Sequence, residues 1–258
     1  MEYALERIKL RNNWTAGLSN MLNAEFKNWF LTKRIWTQIL VWSIILFGLV
    51  VLAGEENFAV SQSIGLYSTF IGVFACIGVI VSAQGVIIRE RRSGVTSWLL
   101  SKPVSRTSYI ISKFAGNLSG YTIAMCLVPT LLTYTYLSFR TGELLPVRGL
   151  MGFMAIVVLY FSFYLSMTIM LGSFFRNRGA VAGIPIGVFF AESLFSGVLP
   201  ELAPYFPSGL VVSEGSNSIA VDLFLNETIG FYGSIITTSS LTLLFFFIAI
   251  WRFNREEL

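Results

Sequence analysis

Few side chains in this sequence are equipped for chemistry, and their positions restrict it further. There is no histidine among 258 residues. Imidazole bases, Ser/His/Asp and Cys/His arrangements, His-ligated haem and the usual zinc clusters therefore each lack a required group. The two cysteines, Cys76 and Cys126, lie far apart within apolar runs and read as small packing residues, not as a disulfide framework. No Gly-x-x-x-x-Gly-Lys-Ser/Thr run is present to cradle nucleotide phosphates. The chain reads as non-catalytic, with no cofactor or metal bound directly. Three features remain. Glu192 is an acidic residue well within an apolar run. Glu25 falls on the apolar side of a helical pattern. A charged segment opens at Arg89-Glu90-Arg91-Arg92 and runs into the apolar cluster Trp98-Leu99-Leu100 before stopping at Lys102-Pro103.

The elements that must carry these residues are membrane helices. Hydrophobic residues make up 55% of the chain and charged residues 12%. Soluble domains carry roughly 25% charge, so this chain is too poor in charge to cover a water-facing surface. About 20 apolar residues cross a hydrocarbon core. Six runs meet that length: Ile35 to Ala53, Ile64 to Ile88, Phe114 to Phe139, Met151 to Phe175, Ala180 to Leu199 and Phe231 to Trp251. With the N-terminus in the cytoplasm, all but Arg140 and Arg148 of the 18 lysines and arginines fall inside, and the opposite orientation inverts that bias. The fold class is all-α integral membrane, multi-pass in the cell's inner (plasma) membrane, with both termini cytoplasmic. The basic residues flank the spans instead of forming one stripe, which argues against nucleic acid as a partner. The economical division is a cytoplasmic N-terminal segment over residues 1–34, a six-helix membrane domain over 35–251 and a tail over 252–258.

Between the N-terminus and the first span, Leu18, Met21, Leu22, Phe26, Trp29 and Phe30 recur at helical spacing, with Asn20, Asn23, Lys27 and Asn28 opposite. This predicts an amphipathic helix lying along the cytoplasmic interface of the bilayer. Glu25 on its apolar side needs a partner. Either an arginine of the Arg89 to Arg106 loop supplies one, linking the helix to that loop, or the carboxylate reaches the headgroups. The loop itself reads as two helices meeting at a corner, with Pro103 ending the first and Ser105 capping the second. Its apolar cluster is either a docking surface or is buried against the chain's own helices.

Farther along, Gly116 and Gly120 form a small-xxx-small pattern, and Gly179, Gly183 and Gly187 form another around Pro185. Both predict close helix packing, with a hinge as the alternative. The connection from Leu199 to Phe231 holds Pro200, Pro204 and Pro207 and two apolar stretches. It either re-enters the membrane where protein satisfies its backbone or forms a surface loop with short helices. Glu192, in the outer half of the fifth span, is a pathway or gating candidate on one reading and a structural hydrogen-bonding group on the other.

The loop resembles that of the transmembrane permease subunits of type-2 ABC exporters. Glu90, Gly94, Leu99, Leu100, Ser101, Pro103, Val104, Ser105, Arg106 and Lys113 match the family's pattern, and Glu25-Phe26-Lys27 is similar to its pattern in the preceding helix. The resemblance implies a coupling helix around Ser93 to Ser101, between the second and third spans, that docks on a separate ABC ATP-binding subunit. Glu90, Gly94, Trp98, Leu99, Leu100 and Arg106 would serve that coupling. ATP and magnesium would then reside on the partner, and a second permease copy or a homologue would complete the path. The competing classes are an ATP-independent secondary transporter or channel, which would carry more intramembrane charge or symmetric broken helices, and a non-transporting membrane scaffold.

Overall fold

Every described element is helical because the apolar runs are long enough to satisfy their backbone groups internally, the condition for crossing lipid. The computed structural model describes residues 15–53, 59–92, 104–212 and 218–255. Among them there is no strand.

Helix α1 (Leu18–Phe30) precedes the first span, α2 (Lys33–Ala53). The second span runs from α3 (Val60–Phe70) through a π-helical stretch (Ile71–Ala75) into α4 (Cys76–Ala83), and a turn at Gln84 and Gly85 leads to α5 (Val86–Arg92). The third is α6 (Arg106–Tyr121), a second π stretch (Thr122–Leu127) and α7 (Val128–Thr141). The fourth is α8 (Val147–Phe174) and the fifth α9 (Arg178–Val198). Two 3-10 turns (Ala203–Tyr205 and Pro207–Leu210) and the short α10 (Ile219–Phe224) lead to the last span, α11 (Gly233–Asn254). Among the described residues six helices are therefore long and apolar enough to cross a membrane.

Most expected boundaries lie within a few residues of those found. The third span begins two helical turns earlier than expected, at Arg106 instead of Phe114. Its first turns carry Ser108, Ser112 and Lys113, which hydropathy rejects, yet all three are buried against neighbouring helices. Ser105 caps this helix as expected, its hydroxyl accepting from the Ser108 amide at 2.9 Å. The first and last spans begin at Lys33 and end at Asn254, so both expected domain limits fall inside continuous helices.

The fourth span is the hub. Two thirds of its apolar window is buried, as is that of the second span, against 17% for the first, which leaves α2 at the periphery. Its polar residues survive burial because Ser162, Ser166, Thr168 and Ser173 return their hydroxyls to carbonyls three or four residues back.

The connection after the fifth span is packed into protein. Pro207, Leu210, Val211, Ile219, Ala220, Val221 and Phe224 are buried. Its carbonyls are met by side chains: Ser68 donates to Val211 O at 2.6 Å, Ser234 to Pro204 O at 2.7 Å and Thr237 to Tyr205 O at 2.6 Å. This is the condition under which irregular backbone is tolerated beside lipid.

Candidate functional site

Glu25 and Glu90 come together at the end of the bundle where α1, α5 and α6 meet. The buried face of α1 is Met21, Glu25 and Trp29, one residue per turn, and it lies on α6. Two glycines of α6 allow that contact. A Cβ on Gly116 would stand 2.5 Å from Glu25 Cβ, and one on Gly120 2.2 Å from Trp29 Cδ2. The close packing expected for this pair is present. Phe26 remains exposed at 37%, so the apolar stripe expected for this helix divides between the protein and the outside.

Glu25 does find a partner, but the expected loop arginine is replaced by a lysine. Lys113 Nζ donates to Glu25 Oε1 at 2.5 Å and also to Glu90 Oε1. Tyr109 donates its hydroxyl to the other oxygen of Glu90 at 2.7 Å. One ammonium thus joins α1, through Glu25, to the last turn of α5, through Glu90. Lys113 and Glu25 keep only 6% and 12% of their side-chain surface, so neither charge is sustained by water. The network continues one turn on. Asn117 donates to Lys113 O at 2.8 Å and accepts from Trp29 Nε1 at 3.2 Å, while Arg34 lies over the Trp29 ring at 3.8 Å.

Arg106 ties the same end of the bundle to the last span. Its guanidinium donates to Asn254 O at 2.9 Å, meeting a carbonyl left over at the C-terminus of α11. Tyr109 stacks on Phe253 with ring centroids 4.9 Å apart. Glu25, Glu90 and Arg106 are therefore in one neighbourhood. Gly94, Trp98, Leu99 and Leu100 lie outside the described residues. Lys113, Tyr109, Asn117 and Trp29 carry the arrangement but were given no part in it by the sequence reading. The available signal was Lys113 on the same helical face as Gly116 and Gly120, where a buried lysine requires a carboxylate.

Glu192 lies at the opposite end and joins nothing in this network. It is 6% exposed, accepting from the Tyr164 hydroxyl at 3.2 Å and from the Ser208 amide at 2.9 Å. It thereby fastens the second 3-10 turn to the fourth and fifth spans. Phe189, Ser193 and Ser208 beside it line a cavity of about 840 Å³ that reaches Asp222 and Glu227. Glu192→Ala is expected to destabilise the chain by about 1–3 kcal/mol, because it strands two donors. Glu192→Gln retains one acceptor and is expected to cost less. Thermal unfolding in detergent, with proteolysis of the segment 199–212, measures both. Unchanged melting and cleavage for Glu192→Ala would show that the carboxylate fastens nothing.

A helical bundle with a buried charge relay at one end fits many membrane proteins until its sequence is compared with others. The model for ABC-2 family transporter proteins matches residues 16–258. The chain belongs to the ABC-2 transporter family. A relative in Bacillus subtilis (strain 168), the uncharacterized transmembrane protein YxlG, is 28% identical over 188 residues, covering 69% of this chain and 67% of its own. Membership in the ABC-2 family makes this chain a multi-pass membrane subunit of an ABC transporter and implies an ATP-binding partner. Glycine packing in this ABC-2 protein is uneven. Gly183 and Gly187 of α9 have nothing within 4 Å of an added Cβ, so that expected close contact does not occur among the described residues.

Proposed function

We propose that this chain is the permease subunit of an exporter, coupling ATP hydrolysis on a separate subunit to substrate movement across the inner membrane. The observation that carries the reading is the Glu25–Lys113–Glu90 relay in a member of the ABC-2 family. Glu90 stands at the foot of the loop over residues 93–103, which is the segment proposed to dock on the ATPase through Trp98, Leu99 and Leu100. A displacement of that loop would reach α5 first. The shared lysine would carry it to α1 and the third span, and Arg106 to the last span. ATP and magnesium would be held by the partner. Both chain ends, with α1 along the membrane surface, would lie in the cytoplasm, where the lysine and arginine bias puts them.

A second copy or a homologue would complete the path. The open faces of Gly183 and Gly187, beside exposed Phe190 and Leu194 on α9, support that contact. Glu192 would act at the outer end, holding the external segment closed until the fifth span moves.

Purification from native membranes under mild detergent tests the reading. An ATP-binding subunit is expected to accompany the chain. Leu99→Asp or Leu100→Asp should reduce its recovery about thirtyfold, since a central apolar anchor is worth about 2 kcal/mol or more. Membrane insertion should be unchanged. Reproducible absence of such a subunit with the native chain would refute the coupling.

A further inference from the structure

Beside the relay lies a cleft of about 520 Å³ whose charge is unbalanced. Four cationic side chains line it, Arg34, Arg89, Lys113 and Arg178, against two carboxylates, Glu25 and Glu90. Lys113 already binds both carboxylates. The three arginines make no ion pair among the described residues, and two of them are held in place by their surroundings. Arg34 is seated on the buried Trp29 ring, and its guanidinium donates no hydrogen bond among the described residues. Arg89 is folded back by a bond from its Nε to Gly85 O at 3.2 Å. Arg178 opens the fifth span, directly after Asn177, whose side chain caps that helix. Three guanidinium groups from three separate elements thus line one cleft, and among the described residues none of them is ion-paired.

We propose that this cleft binds the phosphate of an anionic phospholipid. Guanidinium forks match phosphate oxygens in pairs, which ammonium groups do not. Chain position sets the depth. Arg34 is the second residue of the first span, Arg178 the first of the fifth and Arg89 the last but one of the second, so all three stand at span ends, at headgroup level. Val81 lines the cleft and is 47% exposed, leaving an apolar side along which acyl chains can descend. Among the described residues no aromatic side chain lines it, so these offer a nucleotide base no stacking platform. A phosphate held here would bridge the first, second and fifth spans beside the relay. The coupling reading above bears only on which leaflet supplies the lipid.

The test uses the full chain with whatever subunit accompanies it, in nanodiscs of phosphatidylcholine containing a graded fraction of phosphatidylglycerol. The readout is lipid retained per chain by native mass spectrometry. Selective retention of phosphatidylglycerol is expected. Arg178→Gln, at an exposed helix start, should weaken it about fivefold, the factor expected for one basic residue at an anionic surface. Arg34→Gln should do the same, and Arg148→Gln, at the other end of the bundle, should not. Equal retention of the two lipids, or Arg178→Gln behaving as the native chain, would overturn the site. Displacement of the lipid by millimolar inorganic phosphate would assign the cleft to soluble phosphate and overturn the lipid. Loss of the ATP-binding subunit with lipid retention intact would remove the coupling reading and leave this site standing.

Discussion

Lys113→Met is expected to destabilise the chain by about 3–5 kcal/mol, the cost of removing one partner from a buried ion pair. Methionine is close to lysine in length and apolar, so the stem's packing against Tyr109 and α1 is largely retained. What it leaves is two carboxylates that have lost the ammonium they shared. Glu25 retains 12% of its side-chain surface, and Glu90 keeps 29%. Water relieves the second more than the first, so Glu25 should account for most of the loss. A cycle separates the contributions. Adding Glu25→Gln to Lys113→Met should recover more stability than adding Glu90→Gln, and the triple variant should approach the native melting temperature. Stability and coupling then part company. The triple variant has no charge to link α1 with α5, so a thermally restored protein that remains poor in ATPase stimulation would mark the relay as mechanical. A triple variant that restores both would reduce the relay to packing. Lys113→Arg would keep the charge but bring a wider head into a site with 6% of its side-chain surface open, and an intermediate loss is expected.

The six spans were legible because lipid imposes a length and a hydropathy that few other environments require. The relay was half legible for a related reason. Glu25 was conspicuous as a charge on an apolar stripe, and Glu90 as part of a recognisable loop. Lys113 was harder to assign, because a lysine just before an apolar run also reads as a membrane-edge residue. Its real setting depends on α1 covering the first turns of α6, a tertiary contact that no local pattern reports. The same contact explains why the third span begins at Arg106. Ser108, Ser112 and Lys113 are polar but face protein, and hydropathy cannot distinguish that from water. Glu192 was visible as an intramembrane acid, whereas its Ser208 partner was not, since a backbone amide has no signature in sequence. The glycine rows looked equivalent in sequence. Gly116 and Gly120 meet another element, because α1 is tethered close to α6, while Gly183 and Gly187 have no such neighbour among the described residues.

That difference between glycines yields the second large effect. Gly120→Val is expected to release α1 from the bundle while leaving the six spans assembled. The new Cβ would lie 2.2 Å from Trp29 Cδ2 and 2.5 Å from Cε2, inside any acceptable contact. The indole has no room to yield. It is fully buried, with Tyr121 edge-on at 5.2 Å, Asn117 accepting from its Nε1 and Arg34 over its ring. Relief therefore requires α1 to move away as a unit. Overpacking of this kind costs about 1–3 kcal/mol within a core. A docked helix can avoid that cost by leaving, and Glu25 would then lose Lys113 as well. Hydrogen exchange over Leu18–Phe30 should rise strongly, with the fourth span keeping its protection. Gly48→Val, where nothing lies within 4 Å of the added Cβ, should change stability by less than about 0.5 kcal/mol. If Gly120→Val left exchange over Leu18–Phe30 at the native level, the packing of Trp29 against α6 would not be what holds α1 in place.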